Sequence, residues 1–151
     1  MNSGAYCLDT SVLVKILVPE EGSDEATALL RHAVVGGYRL IAPAFAWAEV
    51  GTTLRKKVRK GLLTETEADT AWKRFMSLAI EYLHDLRIPE MAWKLSSKYG
   101  LSTMYDASFL AVCDEVSQES RTAVEFWTAD RDLVKSLGYL APQYVRLLTL
   151  P

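Results

Sequence analysis

The chain has 151 residues, half of them apolar and 24% charged, and its 17 basic and 19 acidic side chains leave a net charge of −2. A chain of this length fits one domain that buries roughly 70% of its unfolded surface, and this composition excludes a disordered or fibrous class. It also excludes a polycation, so any nucleic-acid site must be a local basic patch on an acidic background.

In chain order, Ala5–Leu8 is a short apolar strand. Thr10 or Ser11 then caps a short helix that Pro19 closes. Ser23–Asp24 opens a second helix that runs to about Val35 and ends at Gly36–Gly37. Tyr38–Ala42 reads as a strand, with Pro43 at the entry to a long helix, Ala44 to Lys60, stopped by Gly61. On that helix Trp47, Gly51, Leu54 and Val58 fall on one stripe and are expected to face the core. Thr64 with Glu67 matches a capping box and starts a helix to about Ala79, followed by a weak strand at Glu81–Leu83. Helices are expected over Pro89–Tyr99, with Gly100 just past the end, and from Asp106 to about Val116. Val124–Thr128 is a strand, Asp130–Leu137 a helix ended by Gly138, and Val145–Leu148 a last short strand. Strands alternating with helices imply an α/β fold: a central, mostly parallel sheet with helices on both faces, binding its ligand beyond the carboxyl ends of the strands.

Polar residues at those strand ends are the candidates for chemistry. Asp9 follows the first strand, and Asp130 lies two residues past Thr128. Asp106 opens a helix after a loop. Glu49 sits on the face of the long helix opposite Trp47, with Thr53, Lys56 and Lys60, at about 100° per residue. Each has a plain structural reading too, as a helix cap or a solvated charge. Were the carboxylates to converge, they would repel and need a counter-charge, which a hard divalent cation supplies. Phosphodiester hydrolysis is the natural chemistry of such a site. Asp114 lies roughly 12 Å along a straight helix from Asp106 and is left outside it.

The order and context of four stretches resemble the PIN domain family, and within it the VapC-type toxins of toxin–antitoxin pairs. They are Leu8-Asp9-Thr10-Ser11-Val12-Leu13-Val14-Lys15, Ala46-Trp47-Ala48-Glu49-Val50, Met104 to Val112 around Asp106, and Thr128-Ala129-Asp130-Arg131-Asp132-Leu133. The resemblance covers nearly the whole chain, residues 1–151, as a single PIN domain. It implies that Asp9, Glu49, Asp106 and Asp130 form a catalytic set holding Mg²⁺ or Mn²⁺, supported by the hydroxyls of Ser11 and Thr128, with Asp132 as a possible assisting acid. It further implies an endoribonuclease, a small antitoxin partner and a homodimer. Two alternatives within the resemblance are a non-catalytic RNA- or protein-binding module and a housekeeping PIN nuclease without an antitoxin.

Other features are weighed beside it. Arg55, Lys56, Lys57, Arg59 and Lys60 make a basic run that suits a helix C-terminus, or a phosphate-contacting rim in which Lys56 and Lys60 share Glu49's side. Lys15 is a further candidate phosphate contact. Phe45, Trp47, Trp72, Trp93 and Phe109 read as core rather than as stacking platforms for bases. Apolar positions in Ser23–Val35 and Thr64–Ala79 are candidates for packing on another chain. His32 and His84 have no metal-ligand spacing, and Cys7 and Cys113 read as free buried thiols of a reducing compartment. No run approaches the ~20 apolar residues of a membrane span, and no basic segment precedes an apolar one at Met1–Tyr6, so a cytoplasmic protein is expected. A haloacid-dehalogenase site fails because Ser11 stands where its second Asp belongs. A receiver domain fails for want of its acidic pair and late lysine, and a Rossmann or P-loop binder for want of a glycine-rich phosphate loop.

Overall fold

A computed structural model describes residues 4–149. Its five strands are β1 (Ala5–Leu8), β2 (Arg39–Pro43), β3 (Ile80–Leu83), β4 (Val124–Thr128) and β5 (Val145–Leu147). All pairings are parallel, in the order β3-β2-β1-β4-β5. The helices are α1 (Thr10–Leu17), α2 (Ser23–Val35), α3 (Ala46–Arg59), α4 (Glu65–Met76), α5 (Arg87–Tyr99), α6 (Met104–Ser120) and α7 (Arg131–Leu137). Strands are added outward from β1 to β3, and then the chain returns to place β4 on the other side of β1. The direction of winding therefore reverses between β1 and β4, and a crevice opens at their carboxyl ends.

The central strand is apolar at all four positions because both of its faces are covered. Ala5 and Cys7 point into one core with Ile41, Phe126 and the inner sides of α5, α6 and α7. Tyr6 and Leu8 point into the other, with α1, α2, Leu54 of α3 and Phe75 of α4. Register puts Cys7 opposite both Ile41 and Phe126, so one face stays continuous across three strands. Cys7 and Cys113 are buried free thiols, as the sequence suggests.

The capping box at Thr64 forms in full. Thr64 Oγ1 accepts from the Glu67 N–H at 3.1 Å, and Glu67 Oε2 accepts from the Thr64 N–H at 2.7 Å. Thr64→Ala removes one half of it and is expected to lower stability by about 1 kcal/mol in urea unfolding, with the fold unchanged.

Three expectations need correction. The first helix is capped by Asp9, not by Thr10 or Ser11. The helix expected from Pro89 starts at Arg87, because Asp85 Oδ1 accepts the Arg87 N–H at 2.8 Å and turns the chain earlier. On α3 the core side is Ala46, Val50 and Leu54, while Trp47 is 50% exposed. Helical spacing gives an angle around α3 but not the side from which α1 packs. Phe45 and Trp93 are also exposed, at 68% and 69%, whereas Phe109 is fully buried.

Candidate active site

Four separate elements bring carboxylates to the crevice between β1 and β4. Asp9 ends β1, Glu49 lies in the first turn of α3, Asp106 in the first turn of α6, and Asp130 caps α7 just after β4. All four line one open cavity of about 330 Å³, together with Thr10, Ser11 and Lys15. The convergence that spacing alone left open is thus present.

Asp9 is both a cap and a site acid, one oxygen to each role. Its Oδ1 accepts from the Thr10 N–H at 2.8 Å. Its Oδ2 accepts from the Ser11 hydroxyl at 2.9 Å and from the Thr128 hydroxyl at 2.7 Å. Each of those hydroxyls is fixed as a donor by a backbone N–H that it accepts. Ala129 N–H gives to Ser11 Oγ at 3.0 Å, and Asp130 N–H gives to Thr128 Oγ1 at 3.0 Å. Two hydroxyls therefore clamp the Asp9 carboxylate and the start of the β4–α7 loop together. Thr128→Val deletes both bonds and orphans the Asp130 N–H. It is expected to cost about 2–3 kcal/mol in urea unfolding. It also removes the strongest influence favouring the ionised Asp9, so its carboxyl moves further up, which a pH series of Mn²⁺ titrations would read.

The other acids are held with free oxygen. Thr103 Oγ1 caps α6 by accepting the Asp106 N–H at 3.3 Å, so the Asp106 carboxylate is not consumed as the cap. Asp130 Oδ1 accepts the N–H groups of Asp132 and Leu133 at 2.9 and 3.1 Å, and its Oδ2 has no such bond among the described residues. Asp132 contributes this N–H but does not line the cavity.

Burial and mutual repulsion act on these groups in one direction. Burial, then the nearby charges of Asp106 and Glu49, push Asp9 up to about 6 against the pull of the Thr128 and Ser11 hydroxyls. Glu49 is raised by burial and by Asp106, and Asp106 by burial and by Asp130. Among the described residues the cavity sets five carboxylates, Glu20 included, against two lysines, so it is short of positive charge. Lys15 and Lys57 also line the cavity, but both are bonded to Glu20, at 3.4 and 2.9 Å, and Lys15 donates to the Glu21 carbonyl at 2.7 Å. The Thr10 side chain at the cavity wall pulls the Glu49 carboxyl the other way, downward. An all-oxygen set with raised carboxyls fits a hard divalent cation that keeps part of its water.

A second acidic group makes the contrast. Asp85, Glu115 and Glu119 have oxygens within 4.8 Å of one another. Arg87 Nη2 lies among them, 3.0 Å from Asp85, 2.5 Å from Glu115 and bonded to Glu119, so its cation is built in. Asp114 is likewise structural, accepting from the Tyr144 hydroxyl at 2.6 Å.

The basic residues are distributed differently from the angular expectation. Lys57, with Thr53, lines the acidic cavity, while Lys56 lines a groove on the other flank of α3 and Lys60 lines neither. The cavity opens on the α1 side of Glu49, toward positions 53 and 57. Thr53 shares Glu49's side as the angular reading has it, whereas Glu20 and Lys57 are not legible as site residues. The i, i+8 relation to Glu49 is the one signal for Lys57.

A parallel α/β fold with four carboxylates gathered at its winding reversal has the donor chemistry to hold a hard cation. More narrowly, the PIN domain model matches residues 6–136, and the chain belongs to the PIN domain family. PIN domains are generally nucleases. Two solved structures share the fold. PAE2754 from Pyrobaculum aerophilum is 22% identical, with a TM-score of 0.62 over 97% of this chain and 90% of that one. VapBC2 from Rickettsia felis, bound to a DNA fragment from its promoter, is 12% identical, with a TM-score of 0.61 over 97% of this chain and 99% of that one. No curated protein sequence matches the chain significantly. No helix among the described residues is long and apolar enough to cross a membrane.

Proposed function

We propose that this protein is a Mg²⁺- or Mn²⁺-dependent endoribonuclease and the toxin of a toxin–antitoxin pair. The observation that carries the reading is the meeting of Asp9, Glu49, Asp106 and Asp130 in one cavity whose two lysines, Lys15 and Lys57, are both paired with Glu20. These four residues would hold the cation, which when bound supplies charge neutralisation at the phosphate and a more acidic water. The chain's own residues do the rest. Ser11 and Thr128 fix the Asp9 carboxylate so that it offers oxygen without rotating. Thr103 leaves the Asp106 carboxylate free, and the Asp130 cap sets the direction of its second oxygen. Lys15 at the cavity wall is placed to take a phosphate oxygen if it leaves Glu20. No side chain in the cavity is a nucleophile of the serine–histidine or cysteine–histidine kind, so water is the attacking group.

The likeness to VapBC2 supports a small antitoxin as partner, and the exposed apolar side chains Phe45, Met104 and Tyr105 support a homodimer. The filled acid set favours an enzyme over a binding module. The test is cleavage of a panel of structured and single-stranded RNAs with Mn²⁺, Mg²⁺ or EDTA. Metal-dependent cuts are expected, and silencing by a small protein encoded beside the gene separates a toxin from a housekeeping nuclease. An intact RNA panel together with no heat of Mn²⁺ binding would overturn the reading.

A further inference from the structure

The acidic cavity repels the substrate that the ribonuclease reading assigns to it, and its two lysines are engaged by Glu20. A polyanion needs cations elsewhere. They stand on the opposite flank of α3, where a groove of about 560 Å³ runs between α3 and α4. Its walls carry two indoles, Trp47 and Trp72, and its charged lining is Arg55, Lys56 and Arg59 against one acid, Asp69. Gly51 lets the Trp72 ring lie against the helix, since a Cβ there would stand 3.1 Å from Trp72 Cζ3. Trp47 is half exposed, about two helical turns before the basic run and two residues from Glu49. Arg55 is bonded to Glu65, but Lys56 and Arg59 enter no ion pair among the described residues.

We propose that this groove is a second RNA contact, taking an unpaired base against Trp47 and the flanking phosphates on Lys56 and Arg59. The proposal rests on the ribonuclease reading and adds a contact outside its cavity: an aromatic face beside unpaired cations takes an unstacked base and its backbone. Groove and cavity flank α3 at neighbouring residues, 48 and 49, 52 and 53, 56 and 57, about one helix diameter, ~10 Å, apart. A strand held at both crosses the first turns of α3. A second copy of this chain fits the groove poorly, because a two-fold contact there sets the same basic rim against itself.

The test is binding of fluorescein-labelled polyuridylate in EDTA, where the acidic cavity contributes no attraction, across a salt series. Trp47→Ala is expected to weaken binding by about tenfold or more. Lys56→Ala with Arg59→Ala is expected to lower the slope of log affinity against log salt by about 1.4, with thermal stability unchanged. Wild-type affinity and slope in these variants would overturn the proposal, and Mn²⁺-dependent RNA cutting by the same preparations would leave the ribonuclease reading standing. Loss of a dimer in Trp47→Ala at unchanged RNA affinity would assign the groove to a protein contact and also overturn it. Failure of every preparation to bind or cut RNA would overturn both.

Discussion

Asp106→Asn is expected to reduce metal-dependent RNA cleavage by at least about a thousandfold while the protein stays folded. The residue suits the test because its carboxylate is not the cap of its helix. Thr103, not Asp106, caps α6, and burial and Asp130 together hold the carboxyl above its usual range. Removing the charge therefore relieves repulsion and leaves no helix end bare. Asp9→Asn is a poorer test. An amide Nδ2 in place of Oδ2 would meet two hydroxyls already committed to donate, so lost activity would mix with lost structure. The comparison to make is single-turnover cleavage with Mn²⁺ beside urea unfolding of the same variant. A fully active Asp106→Asn would remove Asp106 from the site.

The second large effect is on stability and its dependence on pH. The Asp9 carboxyl is raised from 3.8 to about 6 in the folded chain, chiefly by burial. A raised folded value means that folding favours the protonated form. Its stabilising contribution is complete below about pH 4 and is lost as pH rises through 6. About two units correspond to about 3 kcal/mol, and Glu49 and Asp106 act in the same direction. The metal-free protein is therefore expected to lose stability between pH 4 and 7, and Asp106→Asn to lose less of it. Mn²⁺ binds the ionised, folded cluster, so at a hundredfold excess over its dissociation constant it returns about 2.7 kcal/mol at neutral pH and little at pH 4. Calorimetric melting with and without Mn²⁺ at the two pH values checks this. Equal melting shifts at both would contradict it.

Much of this site could be read along the chain because its acids sit at punctuation. Asp9 and Asp130 follow strands that apolar runs mark, and the helix to which Asp130 belongs ends at a glycine. Glu49 was the harder case. Periodicity places it on the polar side of α3 but is silent on what faces that side, so open solvent and a cleft look the same. The same gap separates Lys56 from Lys57. Their azimuths on α3 straddle the wall between two cavities, and only the docking of α1 decides which lysine joins which. Trp47 shows the opposite error, its helical spacing with Leu54 suggesting the core when half of it meets solvent. The apolar tetrad of β1 announced a strand buried on both faces, but not which residues would face which helices.

The hydroxyl clamp on Asp9 has a consequence for the order in which the protein becomes active. Asp9 leaves the ribosome early, and the threonine that fixes it follows 119 residues later. Until β4 docks beside β1, the first acid lacks one of its two hydroxyl partners, and the fourth acid has not been made. A chain interrupted anywhere before Thr128 holds at most three of the four carboxylates and no assembled site. On the ribonuclease reading proposed above, connectivity alone keeps a nascent chain inactive until β4 and the start of α7 have been made.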